Sequence, residues 1–175
     1  MNKYAIQFAT ADQASLEVTV RFFVAGLPRP KGSLRAQPIP RRGGGWLTDR
    51  VGRPVVAVRN DSGGLVEWQD QVARRARQEW ASSPAPFPFE LELEFQLPRP
   101  RSEWAARFDG ALRKGASVYP TRRPDLDKLE RAILDALTGV VYVDDSQVVG
   151  ITSRKRFHAK VLDPTGVWVT VRRLL

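Results

Sequence analysis

Apolar and polar residues alternate in several stretches of the chain, and each alternation predicts a strand. Val18, Val20, Phe22 and Val24 point one way, while Glu17, Thr19, Arg21 and Phe23 point the other. Phe89, Leu91, Leu93, Phe95 and Leu97 alternate with Glu90, Glu92, Glu94 and Gln96, the cleanest strand pattern of the sequence. Its acidic face is expected to turn away from any nucleic acid. Val149, Ile151 and Ser153 open a further strand that runs toward Arg154, Lys155 and Arg156, and Val167, Val169 and Val171 mark a closing one. Two stretches repeat every three to four residues instead. Leu65, Trp68, Val72, Ala76 and Trp80 form one apolar stripe, predicting a helix that starts near Gly64 and is capped by Asp61 or Ser62. Its tryptophans read as core anchors rather than base-stacking platforms. Leu126, Leu129, Ile133 and Leu137, flanked by Ala132 and Ala136, predict a second helix over residues 124–139, stopped by Gly139. After it, residues 140–143 form a short apolar run read as a returning strand. Asp144, Asp145 and Ser146 then make a turn that favours a local antiparallel pair. The order strand, helix, strand, helix, strand, strand reads as α+β, with helices packed on one mixed β-sheet.

Two stretches show neither period. Residues 28–59 hold Pro28, Pro30, Pro38, Pro40, Pro54 and the run Gly43, Gly44, Gly45, and are expected to be loop with a short hairpin near residues 46–58. They carry Arg29, Lys31, Arg35, Arg41, Arg42, Arg50, Arg53 and Arg59 against one acid, Asp49. Residues 98–124 are again loop-like and basic, with Arg99, Arg101, Arg107, Arg113, Lys114, Arg122 and Arg123 against Glu103 and Asp109. The first 15 residues show no sustained period and read as a loosely held N-terminus. The remainder, 16–175, reads as one domain with two basic loops, since 175 residues suffice for one sizeable core and fall short of two.

Charge identifies the partner class. Lys and Arg number 28 against 19 Asp and Glu, a net charge of +9, which points to a polyanion, usually nucleic acid. The bare alternative is a basic protein with solvated loops and no reaction. Arginine interleaved with glycine lets a chain follow a phosphate backbone closely, and phosphate contact is favoured for Arg29, Lys31, Arg35, Arg41, Arg42, Arg122 and Arg123. No run approaches the roughly 20 apolar residues that cross a bilayer, so no membrane partner is expected. With no cysteine and one histidine, His158, thiol catalysis, disulfides and cysteine- or multi-histidine-ligated metals are excluded.

The carboxylates supply a reaction. Asp125 and Asp127 flank Leu126 at the start of the second helix, and Asp144 and Asp145 follow it. Singly, each is an ordinary helix cap or turn residue. If the chain reverses at Gly139 and returns as a strand, all four meet near the helix start. Such a cluster repels itself unless a cation sits within it. Oxygen-only ligands favour Mg²⁺, with Mn²⁺ as a substitute. A carboxylate-held Mg²⁺ beside phosphate-binding arginines suits phosphodiester hydrolysis, with Lys128 and Arg131 stabilising the transition state. Arg131 could equally form an intrahelical ion pair with Asp127.

The segments Pro124-Asp125-Leu126-Asp127-Lys128-Leu129, Asp135-Ala136-Leu137 and Asp144-Asp145-Ser146-Gln147-Val148 resemble the RusA-like Holliday-junction resolvases over about residues 120–160. Residues 26–32, Gly-Leu-Pro-Arg-Pro-Lys-Gly, resemble the family's early proline-rich loop more weakly. The resemblance implies a homodimeric α+β endonuclease that uses Mg²⁺ to cut branched, four-way DNA without a nucleotide cofactor. It implies a cytoplasmic bacterial or phage-encoded protein. It makes Asp125, Asp127 and Asp145 the catalytic, metal-binding aspartates, with Asp144 adjacent. Lys128 stands where the family's type member has Asn, and Arg131 where it has a functional Lys. Arginine keeps the charge but cannot act as a general acid, which leaves an electrostatic role. Three other readings stay open: a basic nucleic-acid-binding protein without catalysis, a flap or fork nuclease, and a transferase with an Asp-x-Asp metal motif. The last lacks a Gly-rich strand-to-helix turn.

Overall fold

A computed structural model describes residues 18–32, 34–60, 63–105, 111–158 and 163–174, the side chains of residues 18, 34, 35 and 58–60 excepted. The expected N-terminal tail and the cap candidates Asp61 and Ser62 lie outside these residues. Among those described, the order is β1 (Val18–Ala25), β2 (Leu34–Pro38), β3 (Val56–Asn60), α1 (Leu65–Glu79), β4 (Phe89–Leu97), α2 (Leu126–Leu137), β5 (Val148–Phe157) and β6 (Gly166–Arg173). The main sheet runs β1-β6-β4-β5. β6 pairs antiparallel with both β1 and β4, whereas β5 pairs parallel with β4. The fold is therefore α+β on a mixed sheet, as the periodicities indicate.

Register explains why one face of the sheet is dry. Val20, Phe22 and Val24 sit level with Val171, Val169 and Val167 on β6, which in turn face Leu91, Leu93 and Phe95 on β4. These rows form a continuous apolar face under α1 and α2. α1 contributes Leu65, Trp68, Val72 and Ala76, and α2 contributes Leu129, Ile133 and Leu137, all buried. Burying each large aliphatic side chain is worth about 1.5–3 kcal/mol. The opposite face carries a charge ladder in place of apolar rows. Glu92 and Glu94 pair with Arg154, and Glu92 also with Arg172, so the acidic side of β4 is matched by its own neighbours.

The basic segment before α1 has more structure than its composition predicts. β2 and β3 form a two-stranded antiparallel sheet, so the hairpin starts earlier than residue 46. Beyond it, Ile39, Leu47 and Val55 hydrogen-bond one another in a ring, from which two short hairpins project. One turns through Gly43, Gly44 and Gly45, all with positive φ. The other is closed by Asp49, whose carboxylate accepts from the Val51 and Arg53 amides.

The link after α2 also differs from its expected form. Residues 140–143 are not a returning strand. Gly139, at φ 73°, reverses the chain at once, and its amide bonds the Tyr142 carbonyl at 2.7 Å. Val140, Val141 and Tyr142 tuck into the core, all buried. A short 3₁₀ turn over Asp145–Gln147 follows and leads into β5. The expected local antiparallel pair is likewise replaced by parallel pairing of β5 with β4. A strand that follows a helix in a β-α-β unit returns in the direction of the first strand. The apolar residues 140–142 are thus satisfied within the chain and leave no surface for a partner.

Candidate active site

The candidate residues occupy two ends of α2. At its start, Asp125 is the N-cap residue by backbone conformation, yet its carboxylate makes no capping bond. Asp125 instead faces Lys128 Nζ at 3.3 Å, an exposed pair. Asp127 and Arg131 are exposed, and no ion pair joins them among the described residues. In front of this helix end lies a groove of about 750 Å³, lined among others by Arg29, Lys31, Arg122, Arg123, Asp125 and Lys128. Four of the residues expected to contact phosphate therefore meet two of those expected to catalyse. Arg41 and Arg42 are exposed on the Gly-rich hairpin outside this groove, and the Arg35 side chain lies outside the described residues.

Two lysines hold the groove together. The Lys31 amide bonds the Lys128 carbonyl at 2.8 Å, and its ammonium pairs with Asp135 at 2.7 Å. Asp135 also accepts from Gln69 of α1 at 3.3 Å. The proline-rich loop is thereby clamped along α2, and the Lys31 charge is already matched. Lys155 of β5 donates to the Arg122 and Pro124 carbonyls at 3.0 and 2.9 Å, fixing the second basic loop beside Asp125. Sequence reasoning missed this role, because nothing local marks a lysine whose partners are distant carbonyls.

Asp144 and Asp145 sit at the other end. Asp144 caps the 3₁₀ turn: its carboxylate accepts from the Ser146 amide at 2.9 Å. Hydrogen bonding to Ser146, from side chain and backbone, lowers the Asp144 pKa. Gln147 completes a capping box. Its Oε1 accepts from the Val143 and Asp144 amides, and its Nε2 donates to the Ala85 and Phe87 carbonyls. The Asp-x-x-Gln spacing was the available signal for this box. Asp145 is exposed beside it. Behind the turn, the buried Tyr142 phenol donates to the Leu134 carbonyl at 3.0 Å. Burial raises its pKa, and the charges of Asp145 and then Asp135 add to the rise.

These contacts give the direction of each element. Ser153 bonds Glu130 in mid-helix, and Lys155 reaches Pro124 just before the helix. β5 thus runs back along α2, and the aspartates that precede β5 are left near the helix C-terminal end. From Asp127 to Asp135 alone the axis rises roughly 12 Å, at 1.5 Å per residue. Among the described residues no three Asp, Glu or His side chains gather closely enough to hold one metal ion. The expected meeting of Asp125 and Asp127 with Asp144 and Asp145 does not occur within one chain. The returning strand begins after the second pair of aspartates, so it carries them nowhere. Taken alone, one protomer does not fit the cation that its carboxylates suggest. His158 is buried against Trp104.

A basic groove at the start of a sheet-backed helix, with Asp125 in its lining and paired to Lys128, defines an α+β protein whose charge suits a polyanion. The family model of endodeoxyribonuclease RusA matches residues 50–172, most of the chain, and the chain belongs to that family. The match contains both aspartate pairs and α2, while the proline-rich loop at residues 26–32 precedes it. No curated protein matches the chain. No helix among the described residues is long and apolar enough to cross a membrane.

Proposed function

We propose that the protein is a Mg²⁺-dependent, structure-selective endonuclease that resolves four-way DNA junctions in recombination and repair, and that it works as a homodimer. The groove at the start of α2 carries the reading. Arg29, Arg122 and Arg123 line it together with Asp125, and the first turn of α2 has no side-chain cap. Its open amides and the helix dipole favour a phosphate there, which the guanidiniums would hold by charge-assisted bonds. Hydrolysis breaks the bond between phosphorus and the 3′ oxygen and adds water to phosphorus. Extra negative charge develops on the non-bridging phosphate oxygens and on the departing 3′ oxygen in the transition state, where fixed cations are most effective. Arg131, exposed on α2, supplies charge rather than a proton. Asp125 and Asp127 at the start of α2, and Asp145 with Asp144 adjacent to it beyond the other end, are the proposed cation-binding carboxylates, with Mn²⁺ as a substitute for Mg²⁺.

The test is cleavage of a synthetic four-way junction against linear duplex, with Mg²⁺ and with chelator. The wild-type protein should cut the junction only with the metal and leave the duplex intact. Asp127→Asn should abolish cutting while gel-shift affinity for the junction stays within about twofold, since arginines outside the carboxylates supply the affinity. A folded Asp127→Asn protein that cuts at the wild-type rate would refute the site. Cutting of flaps or forks in preference to junctions would favour the flap reading.

A further inference from the structure

We propose that residues 39–55 form a DNA-reading arm, in which Trp46 stacks on a base with an uncovered face while Arg41, Arg42, Arg50 and Arg53 hold the flanking phosphates. The inference rests on the nucleic-acid part of the reading above. It names the residue that makes the protein prefer a branch point to unbroken duplex.

Three observations converge on this arm. First, it is ordered without a core. The amides of Ile39, Leu47 and Val55 bond the carbonyls of Val55, Ile39 and Leu47 at 2.9, 2.8 and 2.7 Å. Pro40 bridges Trp46 in one lobe, and Thr48 bridges Pro54 in the other. Yet every residue from 40 to 54 is exposed, and none belongs to the buried cluster of the domain. A two-stranded ribbon is marginal in water when nothing covers it, so this one gains from a partner. Second, charge selects that partner. Four arginines stand against one acid, Asp49, whose carboxylate is engaged by the Val51 and Arg53 amides. Among the described residues none of the four arginines makes an ion pair. Unmatched guanidiniums on an exposed ribbon suit phosphates. Third, Trp46 is placed unlike the other four tryptophans. Trp68, Trp80 and Trp104 are buried, and Trp168 packs on Phe23 with ring centres 5.1 Å apart. Trp46 is 55% exposed. It follows Gly43, Gly44 and Gly45, where an added Cβ would meet nothing within 4 Å, so the tip beside it is bare backbone that a strand can approach closely.

The type of DNA follows from the indole. A flat aromatic face recognises another flat face. In continuous duplex both faces of each base are covered by its neighbours, whereas an unpaired base, or one at the exchange point of a junction, presents a face. Stacking tolerates any base, because every base has a π-face, and it is worth about five- to 150-fold in affinity. Trp46 thus reads the shape of the DNA and leaves its sequence unread. The RusA match begins at residue 50 and assigns no role to the first lobe.

The test is fluorescence anisotropy with chelator present, so that no DNA is cut. The probes are a four-way junction, single-stranded oligothymidine and a linear duplex. Trp46→Ala should bind the junction and the single strand at least about fivefold more weakly, and the duplex within about twofold of wild type. Its slope of log affinity against log salt should be unchanged, since stacking displaces no counterions. Trp46→Phe, which keeps a ring, should bind the junction more tightly than Trp46→Ala. The melting temperature of Trp46→Ala should match wild type, because residue 46 covers no core. Wild-type affinity of Trp46→Ala for junction and single strand overturns the proposal, as does an equal loss on all three probes, Trp46→Phe binding no better than Trp46→Ala, or a lowered melting temperature. A wild type that binds no DNA overturns the arm as well. A wild type that binds DNA and never cuts it, with metal restored, sinks the endonuclease reading alone and leaves the arm to be decided by affinity.

Discussion

Replacing Gln147 with alanine should weaken the fold and the reaction together, by amounts the structure allows to be worked out. The side chain makes four hydrogen bonds of 2.8–2.9 Å, two as acceptor from the Val143 and Asp144 amides and two as donor to the Ala85 and Phe87 carbonyls. A typical intramolecular hydrogen bond contributes about 0.5–1.5 kcal/mol net. Only the bond to Ala85 is partly buried, and the other three groups can turn to water. The low end of the range then applies to those three, and the sum is about 2–3 kcal/mol. For a chain of this size each kcal/mol moves the melting temperature by about 2–4 °C. Gln147→Ala should therefore melt about 4–12 °C lower by circular dichroism without metal. The larger effect is expected on cleavage, because the same bonds hold the turn that carries Asp145. A displacement of about 1 Å can cost roughly a hundredfold in rate. Gln147→Glu keeps an acceptor for the two amides but turns an anion toward two carbonyls, and should be no more stable than the alanine variant. A Gln147→Ala protein that melts within 1 °C of wild type (a margin of about 0.3–0.5 kcal/mol) and cuts at the same rate would refute this account of the turn.

Two further outcomes follow from the same structure. Tyr142 has its pKa raised by burial, so the folded state favours the neutral phenol. The stability this protects is complete below the ordinary tyrosine value of 10.0 and is lost as pH rises above it. Tyr142→Phe should cost about 1 kcal/mol at neutral pH, for the bond to Leu134, and flatten the alkaline fall in stability. Urea unfolding at pH 7 and above pH 10 checks this, and an undiminished alkaline slope in the variant would contradict it. Replacing Arg41 and Arg42 with alanine should lower the slope of log affinity against log salt by up to about 1.8, at about 0.9 for each phosphate no longer neutralised, for every DNA shape. An unchanged slope would mean that the Gly-rich hairpin does not touch the backbone.

Periodicity alone determined the main elements of this protein. β1, β4, β6 and both helices were legible because each buries one face, and burial imposes a repeat of two or of three to four residues on the sequence itself. The aspartate pairs flanking α2 were legible as chemistry for a similar reason, since carboxylates in a chain of net charge +9 stand out against their surroundings. Alternation cannot say which strands pair, or in which direction. The parallel docking of β5 on β4, and the burial of residues 140–142 in a turn rather than a strand, depend on contacts between distant segments. The same holds for Lys31 on Asp135, Lys155 on Pro124 and Gln147 on the 85–87 segment, each of which links residues far apart in sequence. The position of the two aspartate pairs was likewise decided in three dimensions. Spacing along the chain made their meeting plausible, but the returning strand starts only after Asp145, so packing leaves the pairs at opposite ends of one helix.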